Sequence, residues 1–244
     1  MSYKLGLVSV SFRDRDPEEI LQAVQAADLC CIEWGSDVHC PPEKAQEIAA
    51  LQKAYNIECC SYGTYFKFGA APIGELPAYI QAAKILGAPI LRLWCGTKNS
   101  EEYTEEEKQE LFALCKQAAA MAEEADVILC MECHNRTFTN RKEAALELMQ
   151  TIDSPHFRMY WQPNQYRETE ENIAYAAMIA PYAEHLHVFN WKNKEKFPLK
   201  DAVDLWKTYL SCFEGDRTLL LEFMPDGKIE SLIAETTALK EIAR

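Results

Sequence analysis

Eight short apolar runs, each followed by a stretch of helical periodicity, fill the chain from end to end, and this alternation constrains the fold more than any other feature. The strand-like runs are 4–10, 29–34, 57–62, 89–95, 126–132, 157–162, 185–190 and 217–223. The helical stretches lie near 17–27, 41–55, 73–87, 104–125, 139–151, 168–180, 200–212 and 228–243. Asp16-Pro17-Glu18-Glu19, Pro41-Pro42-Glu43 and Thr104-Glu105-Glu106-Glu107 place proline, acids or a capping box where a helix should begin. Strands that alternate with helices form a parallel sheet, because each connection has to cross over. Eight units in 244 residues favour closure, so 1–244 is expected to be one α/β domain, a (β/α)8 TIM barrel. No GxGxxG or GxxxxGK[ST] loop follows the first strand, which removes the strongest sign of a dinucleotide or P-loop fold.

Composition narrows the class. No apolar run reaches the ~18 residues of a membrane span, and MSYKLGLVSVSF does not read as a signal peptide, so a cytoplasmic protein without a membrane partner is expected. Ten cysteines fall irregularly. The adjacent pairs Cys30-Cys31 and Cys59-Cys60 would point to opposite faces of a strand, which suits reduced thiols better than a disulfide framework. The CxxC spacing of Cys130 and Cys133 has no second pair and lies on a strand, so neither zinc nor redox chemistry is expected of it. A formal charge of −13 opposes nucleic-acid binding and leaves a small, uncharged or weakly anionic molecule as the expected partner.

Four polar side chains end four successive runs: Glu132, Gln162, His187 and Glu222, spaced by 30, 25 and 35 residues. A barrel brings the C-terminal ends of its strands to one mouth, where carboxylates and an imidazole together suit a divalent cation. Each has a structural alternative. Glu132 or Glu222 could be a buried carboxylate tied to an arginine such as Arg92, Gln162 could hydrogen-bond a neighbour, and His185 competes with His187 on the same strand face. Trp34 and Trp161 read as packing between barrel and helices, and His156 as surface at the opposite rim. Around the same mouth His39, Tyr62, Lys67, Arg92, Trp94, His134, Trp191 and Lys192 are candidate substrate contacts, the aromatic rings covering the apolar face of a sugar. Lys192, Lys194 and Lys196 could grip a phosphate, although alternation with polar residues also fits a solvated loop.

GLVSVSFRD, CIEWGSDVH, LRLWCGT, MECHN, WQPN, HLHVFNW and LLLEFMPDG follow the order and spacing of the xylose isomerase-like barrel superfamily, and the chain resembles its sugar phosphate isomerase/epimerase and AP endonuclease family 2 type members over nearly its whole length. The resemblance implies one divalent metal ion (Mn, Mg, Co or Zn) held by Glu132, Gln162, His187 and Glu222. It departs at Gln162, where the family usually has Asp, so one ligand charge is missing. It further implies a sugar isomerase or epimerase that works through an enediolate, with Glu132 and Glu222 as the acid/base pair. A dehydratase or lyase acting on an inositol-like or keto-sugar compound, and a sugar-binding relative with an impaired metal site, are the alternatives. Repair-nuclease activity is disfavoured by only five histidines and the excess of acid. Barrels of this group often associate, which leaves a homo-oligomer open.

Overall fold

The computed structural model describes residues 2–244, and its eight parallel strands close into a ring. They are β1 (Tyr3–Val8), β2 (Cys31–Gly35), β3 (Glu58–Phe68), β4 (Ile90–Cys95), β5 (Ile128–Glu132), β6 (Phe157–Trp161), β7 (Ala183–Val188) and β8 (Arg217–Leu221). Closure is made by β1, whose Leu7 lies in register with Leu221 on one side and Ile32 on the other. The connecting helices are α1 (Pro17–Ala26), α2 (Ala45–Ala54), α3 (Leu76–Leu86), α4 (Glu105–Ala125), α5 (Lys142–Ile152), α6 (Thr169–Ile179), α7 (Val203–Leu210) and α8 (Leu232–Ile242). Helices α1 and α4 begin with complete capping boxes. The Asp16 carboxylate accepts from the Glu19 amide at 2.9 Å, and the Thr104 hydroxyl from that of Glu107 at 3.3 Å, so orphan first-turn donors are satisfied.

Side-chain alternation along each strand divides the buried residues into two sets. One, which includes Leu7, Ile32, Leu91, Leu129, Met159 and Leu219, packs outward against the helices. The other, with Val8, Cys31, Cys60, Ile90, Cys130, Tyr160 and Leu220, fills the barrel itself. Cys59 belongs to the outer set and Cys60 to the inner, and all ten cysteines are free thiols. Trp34 and Trp161 are fully buried in the outer layer, Trp34 donating to Gln52 at 2.9 Å and Trp161 packing on Trp206, Tyr209 and Phe213. Among the described residues, no helix is long and apolar enough to cross a membrane.

Strand β3 departs most from the sequence reading, running on through Tyr-Gly-Thr-Tyr-Phe-Lys-Phe to Phe68 rather than ending at Tyr62. Four of the six added residues, Thr64, Tyr65, Phe66 and Phe68, are aromatic or β-branched, types that fit a pleated, half-buried surface, and Gly63 among them does not stop the strand. A two-stranded hairpin, Trp191–Lys192 with Glu195–Lys196, also rises beyond β7 where the sequence suggested a loop.

Candidate active site

Two residues further along the inward face, the barrel filling changes from apolar to charged. Cys31 is followed by Glu33 on β2, Ile90 by Arg92 on β4, Cys130 by Glu132 on β5, His185 by His187 on β7, and Leu220 by Glu222 just past β8. All five upper residues are buried. Arg92 joins two strands: its Nε donates to Glu33 at 2.8 Å and its Nη1 to Glu132 at 2.6 Å. Glu132 also accepts from the Trp94 indole on one oxygen and, at 2.8 Å on the other, from the Gln162 amide nitrogen. Both of its oxygens are therefore engaged. Burial pushes the Glu132 carboxyl up, but Arg92 together with His134, His187 and the Trp94 indole outweighs it, and the carboxyl lies below its ordinary range. Glu33 shows the same balance more strongly, burial opposed by Arg92 and His187.

Glu222 is in a different state. His187 Nδ1 lies 3.4 Å from its carboxylate, and among the described residues no N–H or O–H donates to it. Burial carries its pKa up to about 7, with His187 opposing. The chain holds it by a constrained turn: the Glu222 amide donates to Val188, and Phe223 takes φ +60°, a conformation costly for a non-glycine residue, with its amide donating to Ser11.

His187 lies between these groups. Nε2 faces Glu33 Oε2 at 3.5 Å, neither atom having a hydrogen-bond partner, while Nδ1 has the Gln162 amide oxygen at 3.2 Å, Glu222 at 3.4 Å and Glu132 at 3.8 Å. A carboxylate behind one imidazole nitrogen and oxygens before the other is how a metal-ligating histidine is oriented. The spacing also agrees: donors ~2.1 Å from a tetrahedral cation lie about 3.4 Å from one another. Among the described residues, no three His, Cys, Asp or Glu side chains form a metal-holding group by themselves. The donor set fits a divalent cation once the Gln162 amide oxygen is counted, as a site with two carboxylates.

A cavity of about 190 Å³ opens above these groups, lined by Arg92, Glu132, Gln162 and Glu222 at its floor and by Tyr65, Trp94, His134, Gln165, Phe189, Trp191 and Phe223 at its walls. At ~30 Å³ per water it has the room of about six waters, a small-molecule site. His134 stacks on Trp94 with centroids 4.7 Å apart, and Lys67 lies over the same indole at 4.2 Å.

Three of the sequence-predicted contacts lie elsewhere, and Lys67 meets the cavity only through Trp94, whose ring it covers. His39 is buried below the β2–α2 loop, its nitrogens taken by the Ser9 hydroxyl and the Phe12 carbonyl, because β2 stops at Gly35 and the chain folds back. Tyr62 is buried in mid-β3, its hydroxyl donating to Cys40 at 2.6 Å, since the strand continues past it; Tyr65, three residues on, reaches the cavity instead. Lys192 lines a neighbouring cleft beside Pro163 and Trp206, while Trp191 stands between that cleft and the cavity and lines both. His185 sits one repeat below the site, against the Cys60 carbonyl and the Tyr160 ring. His156, which precedes β6, is half-buried against the Val127 carbonyl. Glu33, which the sequence places at the rim after the second strand but outside the metal and acid/base set, belongs to the charged cluster, and Cys31-Ile32-Glu33 repeats the form of Cys130-Met131-Glu132 at the same height.

The model of a family described as xylose isomerase-like TIM barrel matches residues 21–205. Among solved structures, the probable 3-DHS dehydratase AsbF from Bacillus anthracis superposes with a TM-score of 0.81 at 16% identity, covering 98% of this chain and 99% of that one. A structure of IOLI protein with a bound zinc atom gives 0.77 at 15% identity, with 98% and 96% covered. D-allulose 3-epimerase from Methylomonas sp., in complex with D-allulose, gives 0.76 at 12%, with 100% and 98% covered. At these identities the superpositions show a shared fold. A search of the sequence against curated proteins finds no match.

Proposed function

The chain belongs to the xylose isomerase-like TIM barrel family, and from that premise we propose that it is a metal-dependent enzyme that isomerises or epimerises a small hydroxylated carbonyl compound through an enediolate. One observation carries the reading: two carboxylates on one cavity are held in opposite ways. Glu132 is fixed by three N–H donors, whereas Glu222 receives none, so the lone pairs of Glu222 are free for a C–H proton. Glu222 abstracts the proton beside the carbonyl. The C–H electron pair becomes the enediolate double bond, and a proton returned to the adjacent carbon or the other face completes the reaction, with Glu132 as the second member of the pair. Trp94, Trp191 and Phe223 cover the intermediate and exclude water. Glu132, Gln162, His187 and Glu222 would hold the divalent cation, with Glu33 orienting His187. When bound, the cation supplies Lewis-acid polarisation of the substrate's oxygens.

The neighbours support this level of description. One is crystallised with D-allulose as an epimerase and another with zinc. A dehydratase, the activity given for a third, is the second reading. It is favoured by His134, which lines the cavity beside Glu132 and could protonate a departing hydroxyl.

Solvent deuterium exchange across ketoses, hydroxypyruvate and keto-inositols tests both readings, because exchange reports the enediolate whatever the product. Glu222→Gln should abolish exchange and lower kcat by about two to four orders of magnitude, while Glu132→Gln should retain exchange and form little product. Full turnover by both variants on an accepted substrate would refute the two-carboxylate mechanism. An enone chromophore in the wild-type reaction would establish the dehydratase.

A further inference from the structure

Two ammonium groups that the chemistry at the floor does not use lie against the rings that wall the cavity. On one side the Lys67 ammonium lies 4.2 Å from the ring centroid of Trp94. On the other, Lys196 lies 5.1 Å from that of Trp191 and 4.7 Å from that of Phe223. Trp94, Trp191 and Phe223 all line the cavity, so each lysine is held against a wall of it by the ring's negative face. Among the described residues, no carboxylate comes within ion-pair distance of either ammonium, although the chain has 38 acids to 25 bases. Arg13, also near the mouth, is not free in this way, since Asp37 holds it at 2.6 Å.

We infer that the substrate of this site carries an anionic group, a carboxylate or a phosphate, which Lys67 and Lys196 receive at the rim while the reacting carbonyl lies at the floor. The inference rests on the proposed reading for the position of the reacting end only. Its physical basis is the polarity of the cavity along its depth. The floor charges have counterparts, Glu132 in Arg92 and Glu222 in His187, whereas the two ammonium groups have none, so an anionic end finds an uncompensated partner only at the rim and a molecule charged at one end enters in a single direction. A neutral polyol would have no such preference. A chain of net charge −13 repels small anions at long range, so local cations are needed for one to reach the site. Lys67 is half-buried and Lys196 exposed, and an ammonium over an aromatic ring keeps N–H donors that an anion can take.

Quenching of tryptophan fluorescence reads binding directly, since two indoles line the cavity. Three probes of similar size separate the cases: tartrate, glycerol 3-phosphate and erythritol. The expected result is that at least one anion binds about tenfold or more tighter than erythritol, and that Lys67→Met and Lys196→Met each lose most of that preference while leaving erythritol unchanged. The tighter of the two anions identifies carboxylate or phosphate. Equal binding of erythritol, no binding of either anion, or anion binding that survives both lysine substitutions would overturn the inference, the last because the anion would then sit on the floor cation. Both lysines are at the rim, and circular dichroism of the variants confirms that the fold is intact. The outcome is independent of turnover. A protein that binds tartrate through these lysines but exchanges no substrate proton fails only the proposed chemistry, and one that exchanges neutral ketoses while ignoring anions fails only this inference.

Discussion

Two layers of the barrel interior, one side-chain repeat apart, are built from opposite materials. The lower layer is Cys31, Cys60, Ile90, Cys130, Tyr160 and Leu220, a filling of apolar and weakly polar groups. About 6.6 Å further along the same strands, at ~3.3 Å per residue, stand Glu33, Arg92, Glu132, Gln162, His187 and Glu222. The lower layer gains chiefly from removing surface from water, and its polar contacts are uncharged ones, such as the Cys60 thiol on the Ile32 carbonyl at 3.4 Å. The upper layer loses the hydration of several charges and is stable only because each group has a counterpart: Arg92 between two carboxylates, His187 between Glu33 and Glu222. A barrel can thus place an expensive site directly on a cheap foundation, and the two should respond differently to substitution.

The largest difference is expected at Arg92. Arg92→Met removes the cation between Glu33 and Glu132 and leaves two buried carboxylates uncompensated, so stability should fall by ~3–5 kcal/mol in a denaturant titration. A loss under 1 kcal/mol would mean that His187 alone compensates both carboxylates. Gly63 on β3 gives the next effect. A Cβ there would lie 2.7 Å from Arg92 Nη2 and against Glu33 Oε1, so the salt bridge occupies the space of a missing side chain. Gly63→Ala should cost ~1–3 kcal/mol and weaken ligand binding in the cavity by displacing Arg92. Unaltered stability would show that the pair moves without penalty.

The lower layer and the strand ends were legible because they depend on periodicity. Glu132, His187 and Glu222 could be placed at one mouth from their positions at the ends of apolar runs, since closure of eight parallel strands leaves them no other location. Of the pairings, that of Glu132 with Arg92 was weighed as an alternative, whereas that of Glu33 with Arg92 was not legible. Glu33 and Arg92 are 59 residues apart in sequence and meet only because β3, between their strands, presents a glycine where they cross. The misplacement of Tyr62 has another cause: a strand end defined by a fall in apolar content was set six residues early, while pairing of Gly63 with Gly35 and Arg92, and of Lys67 and Phe68 with Trp94 and Cys95, carries β3 on across an irregular stretch. Phe223 illustrates a third limit, since no local signal marks a phenylalanine for positive φ.

Gln162 sharpens the comparison, because it is the upper-layer member that carries no charge. Its amide nitrogen donates to Glu132 and its oxygen faces His187. Gln162→Asp exchanges a neutral donor for a third carboxylate beside Glu132 and Glu222. Calorimetric titration with Mn²⁺ should show affinity tightened by about tenfold or more, equivalent to ~1.4 kcal/mol, and without metal the variant should melt below the wild type. Unchanged or weaker affinity would place Gln162 outside the ligand set. Metal analysis of the wild-type protein after dialysis against EDTA, then Mn²⁺, should find binding that stabilises the fold; none at millimolar metal would mark the site as one that Arg92 and His187 serve alone.

The smallest effect is expected two residues below Arg92 on the same strand face. Ile90 is 3% exposed and packs with Cys31, Cys60, Cys130 and Leu220 in the lower layer. Ile90→Val removes one methylene from a contact that involves no hydrogen bond or charge, so the loss should be the ordinary ~0.5–1.5 kcal/mol of a small core truncation. Turnover and Mn²⁺ affinity should not change, because Ile90 and Arg92 are joined only through the backbone of β4, and that backbone is fixed by its register with Ile128 and Cys130 on β5. Equilibrium unfolding and steady-state kinetics on one preparation check both halves. If the substitution altered kcat or metal affinity severalfold, the charged layer would be positioned by the packing beneath it rather than by its own ion pairs, and the separation of foundation from site would fail.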